Sequence, residues 1–105
     1  MTDFYVGVPF SGCEKHIKDG LVATREDEAI AIAVGAWFAG KKPLVYMQNS
    51  GFGNCLDIMT SLLKPYEIEI PLLIDNRSTP EHHMWMFITI KGIMELLEYE
   101  SIEYC

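Results

Sequence analysis

Short, almost uninterrupted apolar runs alternate with helical patterns along this chain, and that alternation limits the fold more than any other feature. Phe4 to Val8, Pro43 to Met47 and Pro71 to Ile74 are rich in aliphatic and aromatic residues, and each run is closed by turn-forming residues. Strands that are apolar at nearly every position are buried on both faces, the condition of a parallel sheet covered by crossover helices. Helices are predicted over Gly12 to Lys18, from Thr24 to about Ala39, over about Cys55 to Leu63 and over about Glu81 to Leu97. Leu21 to Ala23 reads as a brief strand and Ile102 to Tyr104 as a final one. With 105 residues and no linker or repeat, the expectation is a single α/β domain. It has three layers, a mainly parallel sheet with helices on both faces.

The second helix carries its own boundaries. Thr24 is placed to cap it, with Asp27 three positions later as in a capping box. Gly40 suits the C′ position, and Lys41 and Lys42 lie near the negative end of the dipole. Between these signals, Ala29 to Ala39 has no polar face. A helix apolar all round is buried all round, either at the centre of one domain or against a second chain. Gly35 costs about 1 kcal/mol relative to alanine in a helix interior, which close packing against another element would explain.

Composition points the same way. Half the residues are hydrophobic and mean hydropathy is +0.12, in a chain with a net charge of −7 and a pI near 4.8. So much apolar surface in so short a chain implies a partner that shares it. The negative charge argues against nucleic acid or an anionic membrane as that partner. The longest apolar stretch, Ala29 to Gly40, is too short to span a bilayer, and Met1-Thr2-Asp3 lacks the basic start of a signal peptide. A soluble, cytoplasmic protein is the expectation. Cys13, Cys55 and Cys105 show no metal-ligand spacing and read as free thiols in a reducing compartment. Cys55 in particular reads as a small buried hydrophobe.

Chemistry concentrates after the third strand. Val45 to Met47 runs directly into Gln48-Asn49-Ser50-Gly51-Phe52-Gly53-Asn54. Ligands of open parallel sheets gather at the carboxyl ends of strands, where this loop falls. Gly51 and Gly53 allow positive φ and close approach of backbone to a ligand, while Gln48, Asn49, Ser50 and Asn54 offer amide and hydroxyl groups. The spacing matches neither the dinucleotide fingerprint nor the Walker loop. Parallel topology brings Pro9 to Gly12, Thr24 to Glu26, Gln48 to Asn54 and Asp75 to Thr79 to one edge, with Glu26 at the mouth. Taken alone, Glu26-Asp27-Glu28 is an acidic first turn that complements the helix dipole.

Three stretches together carry a resemblance. Val6 to Gly12, Ala23 to Ala31 and Tyr46 to Asn54 resemble, in order and context, sulfopyruvate and phosphonopyruvate decarboxylases. The likeness is to the pyrimidine-binding half of these thiamine diphosphate enzymes. Pro80-Glu81-His82-His83, Thr89 and Glu95-Leu96-Leu97 are also similar. The resemblance implies that Glu26 is the catalytic glutamate at N1′ of the cofactor's aminopyrimidine. There its carboxyl group must carry a proton near neutral pH, which burial favours and a helix N-terminus opposes. It implies that Gln48, Asn49, Ser50, Gly51, Gly53 and Asn54 bind the cofactor. Ser11, Gly12, Arg25 and His82 fall on the substrate side, and Arg25 or Arg77 would suit a sulfonate or phosphonate.

The family's diphosphate half holds magnesium with a Gly-Asp-Gly segment, and nothing in this sequence resembles it. The resemblance therefore implies an alpha-type subunit without a metal site of its own. It would act on a small 2-oxo acid only with a diphosphate-binding, beta-type subunit that supplies the Mg2+. A hetero-oligomer, or a homodimer through the Ala29–Ala39 helix, is expected. The chain departs from the family in being short between Gly12 and Leu21, in Arg25 and Asp27 beside Glu26, and in Met86 where glycine is frequent. A noncatalytic α/β binding module is the alternative those departures suggest.

Overall fold

The computed structural model describes residues 1–10, 20–76 and 82–105, the side chains of His82 and His83 excepted. The helix expected over Gly12 to Lys18 and the loop residues Arg77 to Pro80 lie outside the described residues, as do Ser11 and Gly12. The elements run in the order β1 (Phe4–Gly7), β2 (Leu21–Val22), α1 (Glu26–Phe38) and β3 (Pro43–Gln48). After them come a 3-10 segment (Asn49–Cys55), α2 (Leu56–Ile58), a π turn (Met59–Leu63), β4 (Leu72–Asp75), α3 (His82–Leu97) and β5 (Ile102–Tyr104). All five strands are parallel, in the order β2-β1-β3-β4-β5. The α/β class and the parallel sheet match the expectation from the apolar runs.

Topology decides where the helices go. From β2 onward each crossover steps the same way across the sheet, and crossovers between parallel strands are right-handed. That rule sends α1, α2 and α3 to one face. There Val6, Val45, Met47, Leu72 and Ile74 meet Ile30, Val34, Phe52, Met59, Leu63, Ile90 and Met94 in one buried core. The other face carries Tyr46 and Leu73, with Tyr5, Phe10 and Leu44 packed on them. The described helices all lie on the first face.

Glycines in and beside β1 serve that second face. A Cβ on Gly7 would overlap the carbonyl and ring of Tyr46, and one on Gly20 would overlap the same ring near its hydroxyl. The Tyr46 ring thus packs against both glycines, and at Gly7 the Tyr46 backbone carbonyl also leaves no room for a side chain. At the opposite sheet edge from the loops, the Tyr99 hydroxyl donates to the Ile70 carbonyl and accepts from the Ile70 N–H, tying the end of α3 to the approach to β4. Burial raises the pKa of that phenol far above the usual tyrosine range.

Helix α1 starts one residue later than the capping pattern predicts. Its N-cap is Arg25, in extended conformation and without a side-chain cap, and the Thr24 N–H donates to Glu28 Oε1 at 2.6 Å. Thr24 therefore caps with its backbone, and Glu28 takes the part expected of Asp27. The C-terminus matches its signal. Gly40 has φ +89°, the Lys41 N–H donates to Ala36 O (2.9 Å) and the Gly40 N–H to Trp37 O (3.0 Å), a complete Schellman motif.

Of the two expectations for the apolar helix, burial at the centre of one domain is corrected. Ala29, Ile30, Ala33 and Val34 are buried, whereas Ala31, Gly35 and Phe38 face outward and Phe38 is 70% exposed. A Cβ on Gly35 would meet nothing within 4 Å. Helix α1 is thus not the centre of this domain; its second apolar side is open in the single chain. The cysteine expectation changes as well. Cys55 is a free, buried thiol, but Cys105 is disulfide-bonded.

Candidate active site

The strand order reverses direction at β1 and β3, and the crevice beyond their carboxyl ends is where doubly wound sheets bind ligands. The chain after β2 opens α1 there with Glu26, and the chain after β3 forms the 3-10 segment. Asp75, at the end of β4, pairs in register with Gln48, and Asn76 follows it to the same edge.

Glu26 is half-buried. Its Oε1 accepts a hydrogen bond from Asn54 Nδ2 at 3.0 Å, across 28 positions of sequence. On its other side a Cβ added to Gly51 would overlap Cγ, Cδ and Oε2 of Glu26. The carboxyl group therefore lies between an amide donor and a bare stretch of backbone, both supplied by the 3-10 segment. This corrects the reading of the glycines. Gly40 is the glycine with positive φ among the described residues, so Gly51 is needed for space and not for backbone torsion. Gly53 is exposed and a Cβ there would make only ordinary contact with Met86, at 3.7 Å.

The predicted loop is itself helical. Asn49–Cys55 forms 3-10 turns that continue into α2 and the π turn, so the helix begins six residues before the predicted Cys55. In a 3-10 helix side chains three positions apart share a face, so Asn49, Phe52 and Cys55 point inward together. Asn49, Gly51, Phe52 and Cys55 are buried, whereas Ser50, Gly53 and Asn54 are exposed. Asn49 is fully buried beneath the segment. Gln48 Nε2 donates to Ser50 Oγ at 2.7 Å.

Electrostatics separates the charged neighbours. The Arg25 guanidinium pairs with Asp27 through Nε–Oδ1 (3.0 Å) and Nη2–Oδ2 (3.4 Å) at an exposed position. Hydrogen bonding to Arg25 holds the Asp27 carboxyl below its ordinary range, and the same bond raises Arg25. The structure thus brings together Glu26, Gly51 and Asn54, and engages Arg25 with Asp27. Ser11 and Gly12, and the side chain of His82, lie outside the described residues. Burial, then the Glu26 and Asp27 carboxylates, push the Cys55 thiol up to about 12, so at neutral pH it is an inert packing group. The arrival of Asp75 and Asn76 at this edge matches the expectation from parallel topology, with Asp75 in register with Gln48. The Asn76 Oδ1 is buried and accepts no hydrogen bond from the described residues.

A parallel α/β domain with a carboxyl group at a helix start, set against a glycine-bearing turn at the carboxyl edge, belongs to the doubly wound class, whose ligands collect at that edge. No protein-family model matches the sequence. Individual relatives do. The sulfopyruvate decarboxylase subunit alpha of Methanococcus maripaludis is 44% identical over 112 residues, covering 98% of this chain and 67% of that subunit. The subunit of the same name from Methanocaldococcus jannaschii is 39% identical over 83 residues, 71% of this chain and 49% of that subunit. The phosphonopyruvate decarboxylase of Streptomyces viridochromogenes is 37% identical over 86 residues, 76% of this chain and 21% of that enzyme. The chain belongs to the family of sulfopyruvate decarboxylase alpha subunits. It spans from about half to two thirds of the length of the two alpha subunits.

Proposed function

We propose that this chain is the pyrimidine-binding, alpha-type part of a thiamine diphosphate-dependent decarboxylase of 2-oxo acids. The observation that carries the reading is the Glu26 carboxyl group, part-exposed at the carboxyl edge of the sheet and set against Gly51 and Asn54. A carboxyl group so placed suits proton exchange with a ring nitrogen, the role the resemblance assigns to Glu26 at N1′ of the aminopyrimidine. When bound, the cofactor supplies the electron sink for the carbanion left by loss of carbon dioxide. Ser50 and Gly53 are exposed on the same segment and available to the cofactor or substrate. Among the described residues no cluster of His, Cys, Asp and Glu could hold a metal, and we assign the Mg2+ and diphosphate to a beta-type partner subunit.

Sulfopyruvate is the substrate that the names of the alpha-subunit relatives favour, with phosphonopyruvate second. Both carry a second anionic head group. Arg25 is held by Asp27, so the reading assigns part of that charge recognition to the partner. The open side of α1, with Ala31, Gly35 and Phe38, is the surface through which the partner would approach. No described helix is long and apolar enough to cross a membrane.

The test is reconstitution. The chain is co-expressed with a diphosphate-binding subunit, and carbon dioxide release is measured from sulfopyruvate, phosphonopyruvate and pyruvate, with and without thiamine diphosphate and magnesium. Cofactor-dependent turnover in the mixture is expected. Glu26→Gln should lower it by about 10²-fold or more, the scale of a lost acid–base group. Undiminished turnover of that variant would refute the assignment, and stable assembly with no turnover would favour a noncatalytic module.

A further inference from the structure

We infer that Asn54 and Gly51 are positioning residues that fix the direction of the Glu26 carboxyl group in the lone chain, before partner or cofactor reaches it. A part-exposed glutamate at a helix start ordinarily samples several staggered rotamers. Here two constraints select one. The Asn54 amide holds Oε1 at 3.0 Å, and Cγ, Cδ and Oε2 occupy the space that a Cβ on Gly51 would take. Both constraints come from one rigid element, because the 3-10 segment is anchored by buried Asn49, Phe52 and Cys55. A carboxylate has about four acceptor positions, and Asn54 fills one, so the group stays competent to meet a second donor or carry a proton. Asn54 thereby changes role. Its donor is directed at Glu26, and the cofactor contact expected of it from sequence gives way to orientation of the residue that makes that contact. The orientation is a property of this chain alone; its consequence for turnover rests on the decarboxylase reading above.

Preorganisation of this kind is worth most where a reacting group must be held within a fraction of an ångström. The isotope-labelled 105-residue chain, free of partner and cofactor, tests it by nuclear magnetic resonance. Three-bond couplings of Glu26 should report a single side-chain rotamer, and the two Asn54 Nδ2 protons should be widely split. Asn54→Leu keeps the volume and removes the donor. In that chain the Glu26 couplings should average while backbone amide shifts away from the site stay in place. Gly51→Ala should displace Glu26 by overlap, and if that chain fails to fold, Asn54→Leu still decides. Rotamer averaging of Glu26 in the unaltered chain, or an unchanged Glu26 rotamer in the Asn54→Leu chain, overturns the inference.

In the reconstituted enzyme, Asn54→Leu should lower kcat about 10-fold or more with KM for the 2-oxo acid and the cofactor requirement unchanged. A raised cofactor requirement with intact kcat would return Asn54 to the role of cofactor ligand and overturn the inference. If the resonance result holds and no partner confers turnover, the positioning stands and the decarboxylase reading falls.

Discussion

Cys55 shows how a residue beside a candidate site is removed from its chemistry by burial. Its side chain is fully buried, the Sγ directed to the Gly51 carbonyl at 3.9 Å, and the thiol is pushed up to about 12. Thiolate is the reactive form, so alkylation by iodoacetamide at pH 7.5 should proceed only through opening of the domain. The Cys55 rate should therefore track unfolding in a denaturant series; fast labelling of the native chain would contradict the burial. The same shift has a sign in stability. The folded thiol keeps its proton where an unfolded thiol has lost it, so the folded state binds more protons above the ordinary thiol range. Stability from this group is present below about pH 8.5 and is lost as pH rises toward 12. Urea midpoints measured from pH 8 upward should fall, and Cys55→Val should flatten the early part of that fall. Glu26 and Asn54 teach a further lesson at this scale. Residue type placed both at the candidate site, but only the contact between them supports the proposed division into a proton-carrying group and the one that aims it.

Three helical segments end in the same way, and the sequence announces only one of them. Gly40 sits at C′ of α1 with φ +89°, while Glu67 and Glu98 occupy the corresponding positions with φ 55°. The Ile68 N–H donates to Leu63 O and the Tyr99 N–H to Met94 O, both at 2.9 Å, the long bond of a Schellman motif. A left-handed L-residue is disfavoured by about 1–2 kcal/mol, a penalty glycine avoids at some loss of unfolded-state entropy. Glu67→Gly should therefore stabilise the chain by about 0.5–1 kcal/mol, and Gly40→Ala should destabilise it by about 1 kcal/mol. Thermal unfolding of the two variants checks both signs at once. Glu98→Gly is a less clean test, because Glu98 also pairs with Lys64 at 3.8 Å on an exposed surface, an interaction worth about 0–1 kcal/mol. The 3-10 segment was illegible for a related reason. Asn, Ser and Gly mark turns in any sequence, and only packing of Phe52 and Cys55 into the core winds them into a helix.

Across the whole molecule, apolar side chains remain outside. Trp37, Phe38, Leu56, Met84, Trp85, Ile88 and Leu96 are all exposed, and they belong to α1, α2 and α3 on one side of the sheet. These side chains are where the proposed partner subunit would be met, since exposed apolar patches suit contact with another macromolecule. Gly35 isolates that contact from folding, since a Cβ there meets nothing in the single chain. Gly35→Ala should raise the stability of the lone chain by about 1 kcal/mol through helix propensity. Gly35→Leu should fold equally well and yet weaken assembly with the partner subunit, measured by titration calorimetry. Undiminished assembly of the Gly35→Leu chain would remove α1 from the interface.

Alternating apolar runs were enough to establish an α/β domain with a parallel sheet, the strands to within a residue or two, and the end of α1 at Gly40. These are local properties, set by side-chain periodicity and by the backbone freedom of glycine, and they survive without knowledge of neighbours. The order β2-β1-β3-β4-β5, the outward side of α1, the collision that reserves Gly51 for glycine and the hydrogen bond from Asn54 to Glu26 belong to the tertiary structure alone. Each joins residues far apart in the chain, and such pairs are selected by how the core packs and not by any pattern along the sequence.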